Sequence, residues 1–151
     1  MQPGGLHLGA LDQPAQPGAL ALEGAIRKST AMAALVARNS SQSITNATQS
    51  WLSFSAAASD PFGMWSAAVP ERLTAYTGGL YLLWCMLGWE ANASGQRYLD
   101  FRLNGGAGWV GTTAINGGAY TQYMSTCALC CLNEGDYAEV QVYQNSGGAL
   151  N

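Results

Sequence analysis

Charge is what this sequence has least of. Charged residues fill 10% of its 151 positions, against about 25% in an ordinary soluble domain. Only six are basic, spread along the chain, and the formal net charge is -3. That excludes a cationic stripe for a nucleic-acid backbone. Histidine is nearly absent: His7 is the only one. It stands in a stretch rich in proline and glycine, where no neighbour would fix it for a histidine-dependent triad. The opening Met1-Gln2-Pro3-Gly4-Gly5 lacks a basic stretch followed by an apolar run, so no secretion signal is expected. The longest apolar run falls short of the ~20 residues that span a bilayer. The expectation is a soluble protein made in a cytoplasm. The Asn-x-Ser/Thr triplets at Asn39, Asn46 and Asn92 then read as chance in a Ser/Thr-rich chain.

What is present is apolar and small. Hydrophobic residues reach 48%, aromatics 10%, and there are 19 glycines, too much apolar content for a largely disordered chain. The four cysteines are Cys85, Cys127, Cys130 and Cys131. Cys127-Ala128-Leu129-Cys130 has the spacing of a zinc-binding pair. It lies inside an expected strand, however, where residues three apart point to opposite faces. Buried free thiols are the expectation, with no metal and no cofactor. Asp100, Glu134 and Asp136 read as solvated or ion-paired carboxylates. Gly105-Gly106 and Gly117-Gly118 read as tight turns, because no strand, glycine loop and helix follow one another as a phosphate cradle requires. No catalytic residue is assigned, and the chain is expected not to be an enzyme.

Read in order, residues 1–35 differ from the rest. Pro3, Pro14, Pro17 and several glycines break up the start, and an Ala-rich stretch follows with room for a short helix near Ala21–Lys28. This segment cannot bury a core alone. It is either a floppy tail or, as its apolar content favours, an extended anchoring arm that grips a partner through Leu6, Leu8, Leu11, Leu20, Leu22 and Ile26. Residues 36–151 form the expected head domain. Strands are expected at Ala34–Arg38, Trp51–Ser55, Gly79–Trp89, Gln96–Leu103, Trp109–Ile115, Tyr120–Leu132 and Tyr137–Gln144. Asn104-Gly105-Gly106, Asn116-Gly117-Gly118 and Asn133-Glu134-Gly135-Asp136 are the expected turns. In the last strand Ala138, Val140 and Val142 face inward. Ser146–Asn151 is expected to trail off. Many short strands with glycine-rich turns indicate an antiparallel all-β sandwich or jelly roll.

The run Gly79–Trp89 is apolar on both faces. Leu80, Leu82, Trp84 and Met86 point one way, and Tyr81, Leu83, Cys85, Leu87 and Trp89 the other. One internal core covers one face only. Leaving the second bare would cost about 1.5–3 kcal/mol per large side chain, so other copies of the chain are expected to cover it. The contact is assigned to Tyr81, Leu83, Trp89, Tyr123, Tyr137 and Tyr143.

Three segments then fall in a familiar order: Gly79-Leu80-Tyr81-Leu82; Arg97 to Gly105, ending in Arg-Leu-Asn-Gly; and Glu134-Gly135-Asp136 leading into Tyr137–Gln144. The chain from about Ala34 to Leu150 resembles the globular heads of complement-type collagen-like proteins, which share the tumour-necrosis-factor jelly roll. The resemblance implies a ten-strand jelly roll in a tight homotrimer, with recognition loops at one end. The chain departs from that pattern at its C-terminal side, where the aromatic-rich last strand is missing, and no collagen stalk precedes the head. Taken with the missing secretion signal, it implies a trimeric capsid decoration or head-fibre protein on a phage virion. Its expected partners are itself and the major capsid protein or other virion proteins through the arm, with no nucleic acid and no membrane insertion. The alternative is a tail-fibre tip that recognises a host surface glycan or protein, with Trp109 as its first candidate contact.

Overall fold

The structure is a computed structural model that describes residues 32–151. The arm residues Leu6, Leu8, Leu11, Leu20, Leu22 and Ile26, with His7 and the helix expected over Ala21–Lys28, lie outside the described residues. Ten strands follow: β1 (Leu35–Ala37), β2 (Ser50–Trp51), β3 (Ala56–Ser59), β4 (Trp65–Ser66), β5 (Val69–Thr74), β6 (Gly79–Trp89), β7 (Asn92–Leu103), β8 (Val110–Gly118), β9 (Gln122–Leu132) and β10 (Tyr137–Gln144). Every strand pair is antiparallel. The described residues are therefore all-β, as their turn-punctuated short strands lead one to expect.

The largest sheet runs β4-β5-β10-β7-β8, with β2 also pairing β10. β6 and β9 make a second sheet, and β1 and β3 a third. The core lies between the first two. On β10 Val140 and Val142 alternate inward, opposite Phe101 and Leu99 of β7. These four close on Cys85 and Trp89 of β6 and Met124 of β9. Leu99 has no exposed surface. The alternation read from the sequence in β10 is the alternation seen, because an unbroken register of seven pairs with β7 fixes which face each side chain takes.

Two glycines decide details that the sequence reading missed. Ala91–Gly95 falls outside the expected strands and Asn116–Gly118 was expected to be a turn, yet β7 starts at Asn92 and β8 runs on to Gly118. The two extensions pair with each other across a register break between Asn92 and Gln96. Gly95 sits in that break with φ +73°, and a Cβ there would lie 2.2 Å from the Asn145 carbonyl oxygen. Only glycine allows both the turn and the approach. Gly111 has φ +67°, and a Cβ there would lie 2.5 Å from the Cys127 carbonyl oxygen. It lets β8 pass close to β9, where the Thr126 hydroxyl donates to the Gly111 carbonyl.

The strand expected at Trp51–Ser55 shrinks to Ser50–Trp51. Leu52 and Phe54 lie outside it yet still pack on the core, their N–H groups donating to the Val140 carbonyl at 2.9 Å and the Pro70 carbonyl at 3.0 Å. β3 and β4 were not expected: Ala56–Ser59 has no alternation to read, and β4 is two residues long. Nor does the C-terminal segment trail off. Leu150 is buried in the core and bridges Ile44. The Gln144 amide donates to the carbonyls of Ile44 and Gly148, both at 2.8 Å. Glu90 N–H donates to the Asn151 carbonyl at 2.8 Å.

Candidate functional site

β6 and β9 pair over eleven residues without a break, from Gly79↔Leu132 to Trp89↔Gln122. A register this regular gives the sheet two clean faces. On the core side Cys85 and Trp89 are buried, while Tyr81, Leu83 and Leu87 are half-buried. The Trp89 indole N–H donates to the Met124 sulfur at 3.2 Å, and the Tyr81 hydroxyl to the Thr77 carbonyl at 2.7 Å. On the other side Leu80, Leu82, Trp84 and Met86 of β6 and Tyr123 and Leu129 of β9 stand 60–74% exposed. Ser125, Cys127 and Cys131 are exposed between them. No residue of this face is charged.

This geometry spreads the expected contact residues over different surfaces. Trp89 is 2% exposed and belongs to the core. Tyr81 and Leu83 share its side of the strand and are half-buried, and Leu83 packs against the core. The uncovered face of β6 is the opposite one, Leu80 to Met86. Both faces are apolar, so no polarity in the strand itself distinguishes them; the partners across the core do. Tyr123 does lie on the uncovered face. Tyr137 and Tyr143 lie elsewhere, on the outer side of the large sheet, since the alternate residues Ala138, Val140 and Val142 are the buried inner ones. Both are half-buried there. The Arg72 guanidinium lies 4.0 Å over the Tyr137 ring, and Tyr143 meets Tyr98 edge-on at 5.6 Å.

That outer side holds a polar layer whose burial the sequence did not signal. Asp100, Arg102, Glu139 and Gln141 are all buried. Arg102 donates to Asp100 at 3.0 Å, to Gln141 at 2.6 Å and to the Ala107 carbonyl. Arg72 pairs with Glu139 at 3.0 Å. Burial raises the Asp100 pKa, and the Arg102 charge offsets this only in part. Trp109 is exposed and lies 5.5 Å from the Arg102 guanidinium, within cation–π range. At the neighbouring turn, hydrogen bonds from the Asn133 backbone and then from the Asn104 and Asn133 side chains hold the Asp136 carboxyl below its usual range.

The four cysteines are free thiols. Burial pushes Cys85 up to about 11. Cys130 is half-buried on the core side, and its thiol is also raised by burial. Cys127 and Cys130 thus face opposite ways, as strand geometry requires. Among the described residues no group of three or more His, Cys, Asp or Glu side chains is placed to hold a metal ion. No protein family and no curated protein sequence matches this chain.

Proposed function

We propose that this chain is a non-enzymatic structural subunit of a phage particle surface, a homotrimeric capsid decoration or head-fibre protein with a jelly-roll head, anchored to the shell through residues 1–35. The observation that carries a self-associating subunit is the uncovered face of β6 and β9. Six large apolar side chains stand together there with no charge among them. Soluble monomers seldom expose such a patch, and protein contacts are what usually cover one. The location on a phage particle rests on the sequence resemblance. Particles assembled with a chain lacking residues 2–30 test the arm: occupancy falling to background is expected, and full occupancy overturns anchoring by the arm.

One observation favours a second reading, a tail-fibre tip that binds a host glycan or protein. Trp109 is 63% exposed beside the glycine-rich segment 105–108, the kind of flat aromatic surface on which a sugar ring stacks. Host-cell adsorption and glycan binding by the whole protein, lost in Trp109→Ala, would support it. No binding above background would overturn it.

A further inference from the structure

The uncovered face has a size pattern as well as an apolar character. Its rows pair Leu80 with Cys131, Leu82 with Leu129, Trp84 with Cys127, Met86 with Ser125 and Gly88 with Tyr123. From Leu80 to Met86 every β6 residue on this face is large. On β9 the small residues Ser125 and Cys127 lie between Tyr123 and Leu129. The sizes reverse only at the last row, where a Cβ on Gly88 would lie 3.0 Å from the Tyr123 ring. β6 is therefore a ridge and β9 carries a notch. Tyr123 and Leu129 are six residues apart, about 20 Å along the strand, so the notch has room for an indole. The chain's own Trp84 does not fill it, since Trp84 and Cys127 are both exposed.

We propose that the Trp84 ridge of one copy seats in the Ser125–Cys127 notch of a second copy. This rests on the reading of the chain as a self-associating subunit and names the surfaces that meet. Three features point to a second copy as occupant. Ridge and notch stand side by side on one face, so each copy carries both halves of the contact. The face is uncharged, so a partner with a charged surface would leave its own charges desolvated and unpaired. The area is also of the right order. Six large side chains, more than half exposed, present several hundred Å², close to the ~800 Å² per partner of a standard interface. Two copies could exchange ridge and notch about a two-fold axis; in the trimer proposed above, the ridge of each copy instead meets the notch of the next around the axis, a head-to-tail contact that closes into a ring. It also buries the Cys127 thiol.

The test uses the full chain, its mass by native mass spectrometry, and thiol labelling by a maleimide read peptide by peptide. The assembled wild type is expected to label Cys127 at least tenfold more slowly than urea-unfolded protein. Trp84→Ser and Cys127→Trp, which remove the ridge and fill the notch, should each shift the mass to single chains. In Trp84→Ser the Cys127 thiol should label fast, with unchanged circular dichroism. A monomeric wild type overturns the proposal together with the self-association reading. A wild-type assembly whose Cys127 labels as fast as in urea overturns the ridge-and-notch contact alone, as does a Trp84→Ser protein that keeps its assembled mass.

Discussion

Arg102 holds the outer side of the large sheet together: it bonds Asp100 and Gln141 on neighbouring positions and reaches the Ala107 carbonyl in the following turn. Replacing it with methionine keeps much of the volume but leaves Asp100 buried without its counter-charge. Breaking a buried pair from one side costs about 3–5 kcal/mol. Urea denaturation of Arg102→Met should show a loss of that order, and a loss below about 1 kcal/mol would place the pair in solvent. The two shifted carboxylates act on pH dependence with opposite signs. Asp100 has a raised folded pKa, so its contribution is fully present below the unfolded value and is lost as pH rises through the folded one. Asp136 has a lowered folded pKa, so its contribution is present above the unfolded value and is lost as pH falls through the folded one. Asp136→Ala should melt below the wild type at neutral pH. The gap should narrow on acidification through the carboxylate range, and a gap independent of pH would contradict this.

At the scale of elements, the strands that alternate were legible and the rest was not, for physical reasons. β7 and β10 could be read because the inner positions Leu99, Phe101, Val140 and Val142 are apolar and the outer ones polar, although the inner rows end in the buried polar pair Arg97 and Gln144. There the sequence suggested a solvated or ion-paired Asp100; it is ion-paired with Arg102, and close neighbours on the sheet bury it and Glu139 as well. β6 could be placed but not oriented. Both its faces are apolar, and only contact with Leu99 and Val142 across the core shows that Trp89 belongs inside and Trp84 outside. Glycines expected to end strands instead sit within them, because local glycine chemistry does not distinguish a turn from a bulge. The packing makes two element-level predictions. Leu99→Ala should cost about 2–5 kcal/mol by leaving a cavity between the sheets. Gly111→Ala meets both a positive φ and the Cys127 carbonyl. It should destabilise by at least the ~1–3 kcal/mol of a strained backbone, read as a lower urea midpoint. An unchanged midpoint would mean that β8 does not pass so close to β9.

At the scale of the whole molecule, two sheets close one core and leave one apolar face uncovered among the described residues. The chain has few charges with which to keep such a face apart from its like. Association of copies through β6 and β9 would remove that face from water, and a jelly-roll trimer carried by an anchoring arm is the assembly we propose. The most direct measurement is the mass of the purified full-length protein in solution by light scattering. The prediction is a single species of three times the 15.8 kDa chain mass, stable on dilution to micromolar concentration. A species with the mass of one chain under the same conditions would contradict it.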